Sequence, residues 1–253
     1  MTWRRKSDEK RNVMLNISTF NACLSEKKAL YLHVRKAIST MSNDFKRIPY
    51  GISSFKQVRN ENKYLVDKTM FFEKMERAGN FLFLVRPRRF GKSLFLNMLE
   101  SYYDINAKDN FQELFKGLYV ADHPTEWHNK FQVLHLDFSQ VGSDVENLRT
   151  NFSNYLSNCC VTFVKKYASF YPQDLSEEVL QGKNGMDMLN RLNLVAHLVG
   201  CPLYLIVDEY DNFTNNVLNV KGQQAYHDLT HGTGFYRDVL KLFKPMFDRI
   251  ITL

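Results

Sequence analysis

Two short segments carry residue types at spacings that do chemistry. Arg86-Pro87-Arg88-Arg89-Phe90-Gly91-Lys92-Ser93 matches the phosphate-loop pattern G-x-x-x-x-G-K-S/T at every defined position except the first, where arginine replaces glycine. In that pattern main-chain N–H groups wrap a polyphosphate, the lysine contacts the outer phosphates and the hydroxyl ligates magnesium. Gly91, Lys92 and Ser93 keep those three roles, with Arg88, Arg89, Phe90 and Leu94 completing the loop and the arginines adding positive charge. Pro87 favours extended geometry at Arg86. Magnesium needs hard oxygen ligands, and water attack on a γ-phosphate needs a polarising carboxylate. Asp208-Glu209, closing the apolar run 203–207, supplies both: Asp208 joins Ser93 in the metal shell, and Glu209 orients or deprotonates water. The same two acids would also serve as caps of a following helix. Asp211 and Asn212 orient Glu209 or cap that helix, and Asp137 joins a water network at the same sheet edge or caps a loop.

These residues need a scaffold that brings positions 92 and 208 together. The run 81–86 reads as a strand buried on both faces of a parallel sheet, and 133–138 and 203–208 read as two more. Residues 249–253 start another. Helical spacing over 71–77 ending at Gly79, over 94–103, around 145–168 and over 186–199 alternates with them. Strands alternating with helices predict βαβ crossovers and an α/β fold with a doubly wound, mostly parallel sheet flanked by helices. Opening a helix directly after a strand aims the helix dipole at a phosphate bound by Gly91-Lys92-Ser93.

Other residues point nowhere specific. His123, His128 and His135 fit neither one helical face nor a metal-ligand spacing, and His227 and His231 read as surface residues. The four cysteines form no CxxC pair and read as reduced, mostly buried thiols. No apolar run reaches the ~20 residues that span a bilayer, so a cytoplasmic protein without a membrane is expected. At 253 residues the chain is long enough for a substantial core. Its net charge of +7 lies in residues 1–47, which hold 11 basic and 4 acidic groups, while the remainder holds 23 of each. The neutral body gives no sign of nucleic-acid binding; the basic segment reads as a poorly ordered or helical extension over 1–44, or as an arm on phosphate backbones. Met41 precedes the domain entry at 44–55 and is a candidate translation start.

Taken in order, 64–69 (YLVDKT), 86–94 (RPRRFGKSL) and 207–211 (VDEYD) resemble the bacterial AAA-ATPase-like family, over roughly Lys46 to Leu253. That family shares the arginine-for-glycine loop. The resemblance implies a P-loop NTPase domain over 45–253, with Walker A and Walker B motifs, ATP and Mg2+ as cofactors, and hydrolase activity coupling nucleotide state to a partner domain or subunit. It also implies a polar sensor residue at the end of the strand near Arg249, and a C-terminal region resembling a restriction-type nuclease. The chain stops short of both, so the domain reads as truncated at its C-terminus. Partners would be a homo-oligomeric neighbour or that nuclease-like region, and Arg237, Arg249 or a neighbouring subunit would supply an arginine finger. Two alternatives stand beside this reading: a nucleotide-sensing or nucleic-acid-associated module that hydrolyses little, and an inactive fragment.

Overall fold

Four parallel strands form one sheet among the described residues: β1 (Phe81–Phe83), β2 (Gln132–Asp137), β3 (Leu203–Asp208) and β4 (Arg249–Thr252). This is a computed structural model, and it describes residues 46–85, 89–141, 144, 146–210, 212–230, 239, 243 and 249–252. Among them the sheet order is β1-β4-β3-β2. Before β1 come α1 (Phe55–Asn60) and α2 (Phe72–Ala78), and between the strands run α3 (Lys92–Tyr103), α4 (Phe111–Phe115), α5 (Tyr119–Asp122), α6 (Leu148–Lys166), α7 (Gln173–Leu180) and α8 (Gly185–Leu198). A further helix, α9 (Asn212–Thr230), is interrupted at Gly222. The expected basic extension over 1–44 lies outside the described residues, as do Arg86, Arg88, Asp211 and Arg237. Residues 49–253 form one unit.

Strand alternation explains the two cores. Leu134, Leu136, Leu203, Leu205 and Val207 point to one face, where they meet Phe152, Leu156 and Phe163 of α6 and Leu189 and Leu192 of α8. Val133, Tyr204 and Ile206 point to the other, against Phe95, Leu96, Leu99 and Tyr103 of α3 and Phe115 of α4. Period-2 side chains on strands covered from both sides give continuous apolar runs, and all six residues of β3 are buried. At the start of α8, Gly185 permits a close approach to α6: a Cβ there would sit 2.1 Å from the Ser153 carbonyl oxygen.

The structure corrects one expectation. The run beginning at Phe81 is not buried on both faces: β1 covers only 81–83 and lies at the end of the sheet order, with Phe81 46% and Phe83 66% exposed. Its apolar sequence is that of a central strand, but it has only β4 as a neighbour among the described residues. The other strands begin and end within a residue of expectation.

The segment 64–69 acts as a clasp. Asp67 Oδ1 accepts the Thr69 N–H (2.8 Å) and hydroxyl (2.7 Å), while Oδ2 accepts the N–H of Tyr119 at 2.7 Å, tying this turn to the start of α5. Nearby, Arg59 Nε and Nη2 donate to the carbonyls of Leu114 and Lys116 and close the end of α4. Among the described residues no helix is long and apolar enough to cross a membrane.

Candidate functional site

Gly91 adopts the left-handed region (φ 71°, ψ 36°) and turns the chain into α3, where no side chain caps the first turn. Glycine takes this conformation without the Cβ penalty of other residues. Helix-start N–H groups without an intrahelical partner remain available to an anion. Arg89, two residues earlier, is also left-handed at φ 67°, so the loop folds back twice before the helix begins. Phe90 and Arg89 are exposed, Lys92 and Ser93 are half-buried, and Leu94 packs against the α3-side core.

On β3, Asp208 is 6% exposed, and its Oδ1 accepts the N–H of Glu209 at 2.9 Å. Glu209 is itself left-handed (φ 51°), and its carbonyl accepts the N–H of Asn212 at 3.0 Å as α9 begins. A non-glycine residue held there costs about 1 kcal/mol or more and persists only where its surroundings fix it. The turn lifts Glu209 out of the strand's alternation into the cavity that Asp208 also lines.

That cavity, of about 1100 Å3, brings together Ser93, Asp208 and Glu209. Lys92 immediately precedes Ser93 at the helix start. Gly91, Lys92, Ser93, Asp208 and Glu209 thus gather at one end of the sheet. Asp137 is there too: the parallel register pairs it with Asp208, and it lines the same cavity. Its Oδ1 accepts the Ser139 N–H at 2.9 Å, which is a capping bond to the short 3-10 turn 138–140. The donor set at this end, a serine hydroxyl and a carboxylate, is of the hard-oxygen kind that would suit magnesium.

Sequence reading missed the rest of the cavity. It continues away from the 89–93 loop along β2, between Asn97 and Glu100 of α3 and Asn154, Asn158 and Lys166 of α6. At its far end Glu100 binds His135 Nδ1 at 2.9 Å and Lys166 at 3.0 Å, and Lys166 also binds Asp104 at 2.8 Å. Burial pushes the Glu100 carboxyl up, but the His135 bond and the Lys166 charge outweigh it and hold the group down at about 2. Burial likewise pulls Lys166 down, and Glu100 and Asp104 more than offset it, so its ammonium is held above the ordinary lysine value. The signal was present: Ser93, Asn97 and Glu100 are spaced four and three apart on one polar stripe of an otherwise apolar helix. His135 makes this hydrogen bond to Glu100, His123 stacks on Tyr119, and His128 bonds the Thr125 carbonyl.

The family model described as "Predicted AAA-ATPase" matches residues 49–253. The chain belongs to this AAA-ATPase-like family. It is also 37% identical over 114 residues to the "Uncharacterized protein in vnfD 5'region" of Azotobacter chroococcum mcd 1, a match covering 44% of this chain and 21% of that protein. The match thus spans about a fifth of that relative's length. No solved structure matches. Membership supports nucleotide binding in general and is consistent with the mixed α/β architecture and its small parallel sheet.

Proposed function

We propose that this AAA-ATPase-like chain binds ATP with Mg2+ through a P-loop and hydrolyses it, in a doubly wound fold whose nucleotide state drives a partner domain or subunit. The observation that supports this most is the gathering of Ser93, Asp208 and Glu209 around one cavity, next to a left-handed Gly91 at an uncapped helix start. Positions 93 and 208 are far apart in sequence, and a structural capping role for each would not require them to share a cavity.

In this reading the N–H groups from Gly91 to Ser93 hold the phosphates, flanked by Arg88, Arg89, Phe90 and Leu94, and Lys92 places its charge on the β and γ oxygens. Ser93 and Asp208 would hold the Mg2+, which would supply charge neutralisation at the transferring phosphoryl group. Glu209, carried into the cavity by its left-handed turn, aligns a water molecule and takes its proton.

Calorimetric titration with ATP and Mg2+ of the wild type beside Lys92→Ala, with phosphate release followed on the same samples, tests it. The expected result is magnesium-dependent binding weakened about 100-fold or more in the variant, as loss of a charged phosphate contact implies. A folded wild-type chain that binds no nucleotide would overturn the proposal.

A further inference from the structure

Strand alternation turns two acids toward the same face of the sheet. On β2, Val133 packs into the α3-side core and the His135 ring bonds Glu100 of α3 at 2.9 Å, so Asp137, two residues further on, faces α3 as well. On β3, Tyr204 and Ile206 pack into the same core, which points Asp208 the same way. The parallel register makes Asp137 and Asp208 direct partners. Neighbouring strands lie about 4.8 Å apart, so the two carboxylates stand side by side. Helix α3 begins at Lys92 and Ser93, and Ser93 lines one cavity with both acids.

Asp137 is fastened in that position. Its N–H donates to the Tyr155 hydroxyl at 2.6 Å, its Oδ1 accepts the Ser139 N–H at 2.9 Å, and its Oδ2 accepts the Gln140 amide at 3.3 Å. A carboxylate oxygen has about two lone-pair sites, so each of these oxygens keeps one for a further donor. Asp208 is 6% exposed, and its Oδ1 accepts the Glu209 N–H. Two adjacent carboxylates repel each other, and a cation beside them relieves the repulsion. Capping alone does not call for an acid at 137, because serine and asparagine cap as well as aspartate does. What only an acid adds is negative charge next to Asp208.

We infer that Asp137 is a positioning residue for the divalent cation of the proposed site: Ser93 and Asp208 would ligate the ion, and Asp137 would accept hydrogen bonds from its water ligands. The inference rests on the reading of Asp208 as a magnesium ligand. Magnesium gives up its waters reluctantly and usually keeps several, so an acid one strand away acts on the ion through them. The bonds from Ser139 and Gln140 set the direction of the carboxylate and leave it free to accept from water. Groups that orient a metal's ligands from outside typically change its affinity about 10–100-fold when lost.

The test titrates Mn2+, which shares magnesium's preference for carboxylate and water ligands, against the whole chain without nucleotide, following the free ion by electron paramagnetic resonance. Saturable binding below about 1 mM is expected for the wild type. Asp137→Asn should weaken it about 10–100-fold while its thermal melt stays close to wild type, because asparagine keeps the cap and removes only the charge. Asp137→Ser, a second uncharged cap, should weaken it as much, so the result does not depend on one variant folding. Asp208→Asn separates this inference from the reading beneath it. If Asp208→Asn weakens Mn2+ binding and the Asp137 variants bind like wild type, Asp137 is only a cap and the inference is overturned while the magnesium reading stands. If the wild type binds no Mn2+, or Asp208→Asn binds it unchanged, the magnesium reading falls and the inference falls with it.

Discussion

At one end of the groove stand Asp137, Asp208 and Glu209, and at the other Glu100 and Asp104, and the two sets of carboxylates differ in what neutralises them. Glu100 and Asp104 share the Lys166 ammonium, with His135 and the Tyr167 hydroxyl as further partners. Of the acids at the Ser93 end, Asp137 and Asp208 accept the main-chain N–H groups of Ser139 and Glu209, and the Gln140 amide approaches Asp137 at 3.3 Å. Among the described residues none of those three forms an ion pair. Charges that a fold satisfies internally serve to fasten elements together, here α3, α6 and β2. Charges gathered without a counterion remain available to a cation or a reacting molecule, which is the property the proposed magnesium site requires. Glu209 in a left-handed turn adds to the contrast, because strained backbone is concentrated where a fold serves chemistry more than stability.

The largest expected effect that separates the two ends is at Glu209. Glu209→Gln should lower phosphate release about 10²–10⁴-fold, the range for loss of a general base, while calorimetry shows ATP affinity retained and the urea midpoint stays close to wild type. A variant with full turnover would move the Ser93 end into the same class as the fastening end.

Next in size is the acid sensitivity of Glu100. Its folded value of about 2 lies below the ordinary carboxylate value of 4.5, so the folded chain binds this proton less readily than the unfolded chain. The stability it contributes, of order 3 kcal/mol, is complete above about pH 4.5 and is lost as pH falls toward 2. Urea unfolding at a series of pH values should show that loss in wild type and a shallower one in Glu100→Gln. Equal pH dependence would show that the far-end network does not set the acid limb.

Lys166→Met should cost about 2 kcal/mol in the same unfolding measurement, since it leaves two acids sharing a site without their cation. The figure sits below that for fully buried pairs because the Lys166 side chain is 31% exposed. Nucleotide affinity should be unchanged, and a coupled loss would show that the two ends of α3 act together.

The smallest effect is Gly91→Ala. Nothing lies within 4 Å of a Cβ built there, so the cost is the left-handed φ of 71° alone, about 1 kcal/mol. A larger loss of ATP affinity than of stability would show that the loop shape matters to phosphate binding more than to the fold.

Much of the site is legible in the sequence alone. Gly91-Lys92-Ser93 announces its turn through local chemistry, because glycine accepts left-handed geometry and the apolar spacing that follows it is helical. Asp208-Glu209 ends a run of five apolar residues, which marks the edge of a buried strand. The burial of β1 was misread because Phe81-Leu82-Phe83 is as apolar as Leu203–Val207, and periodicity reports side-chain character without reporting how many neighbours a strand has. Asp137 was left between a cap and a water network, and the structure shows the capping bond together with a place in the cavity.

The sequence by itself determined the family, the elements and the chemical types at the strand ends, since each is encoded within a window of about 10 to 20 residues by turn chemistry and side-chain period. Only the tertiary structure decided that β1 ends the sheet order among the described residues, that Asp137 stands beside Asp208, and that a groove runs from Ser93 to Lys166. Those facts depend on pairings across long crossovers, such as Glu100 with Lys166, 66 residues apart. Contacts at that separation are fixed by how helices cover the two faces of the sheet, and no local pattern records it.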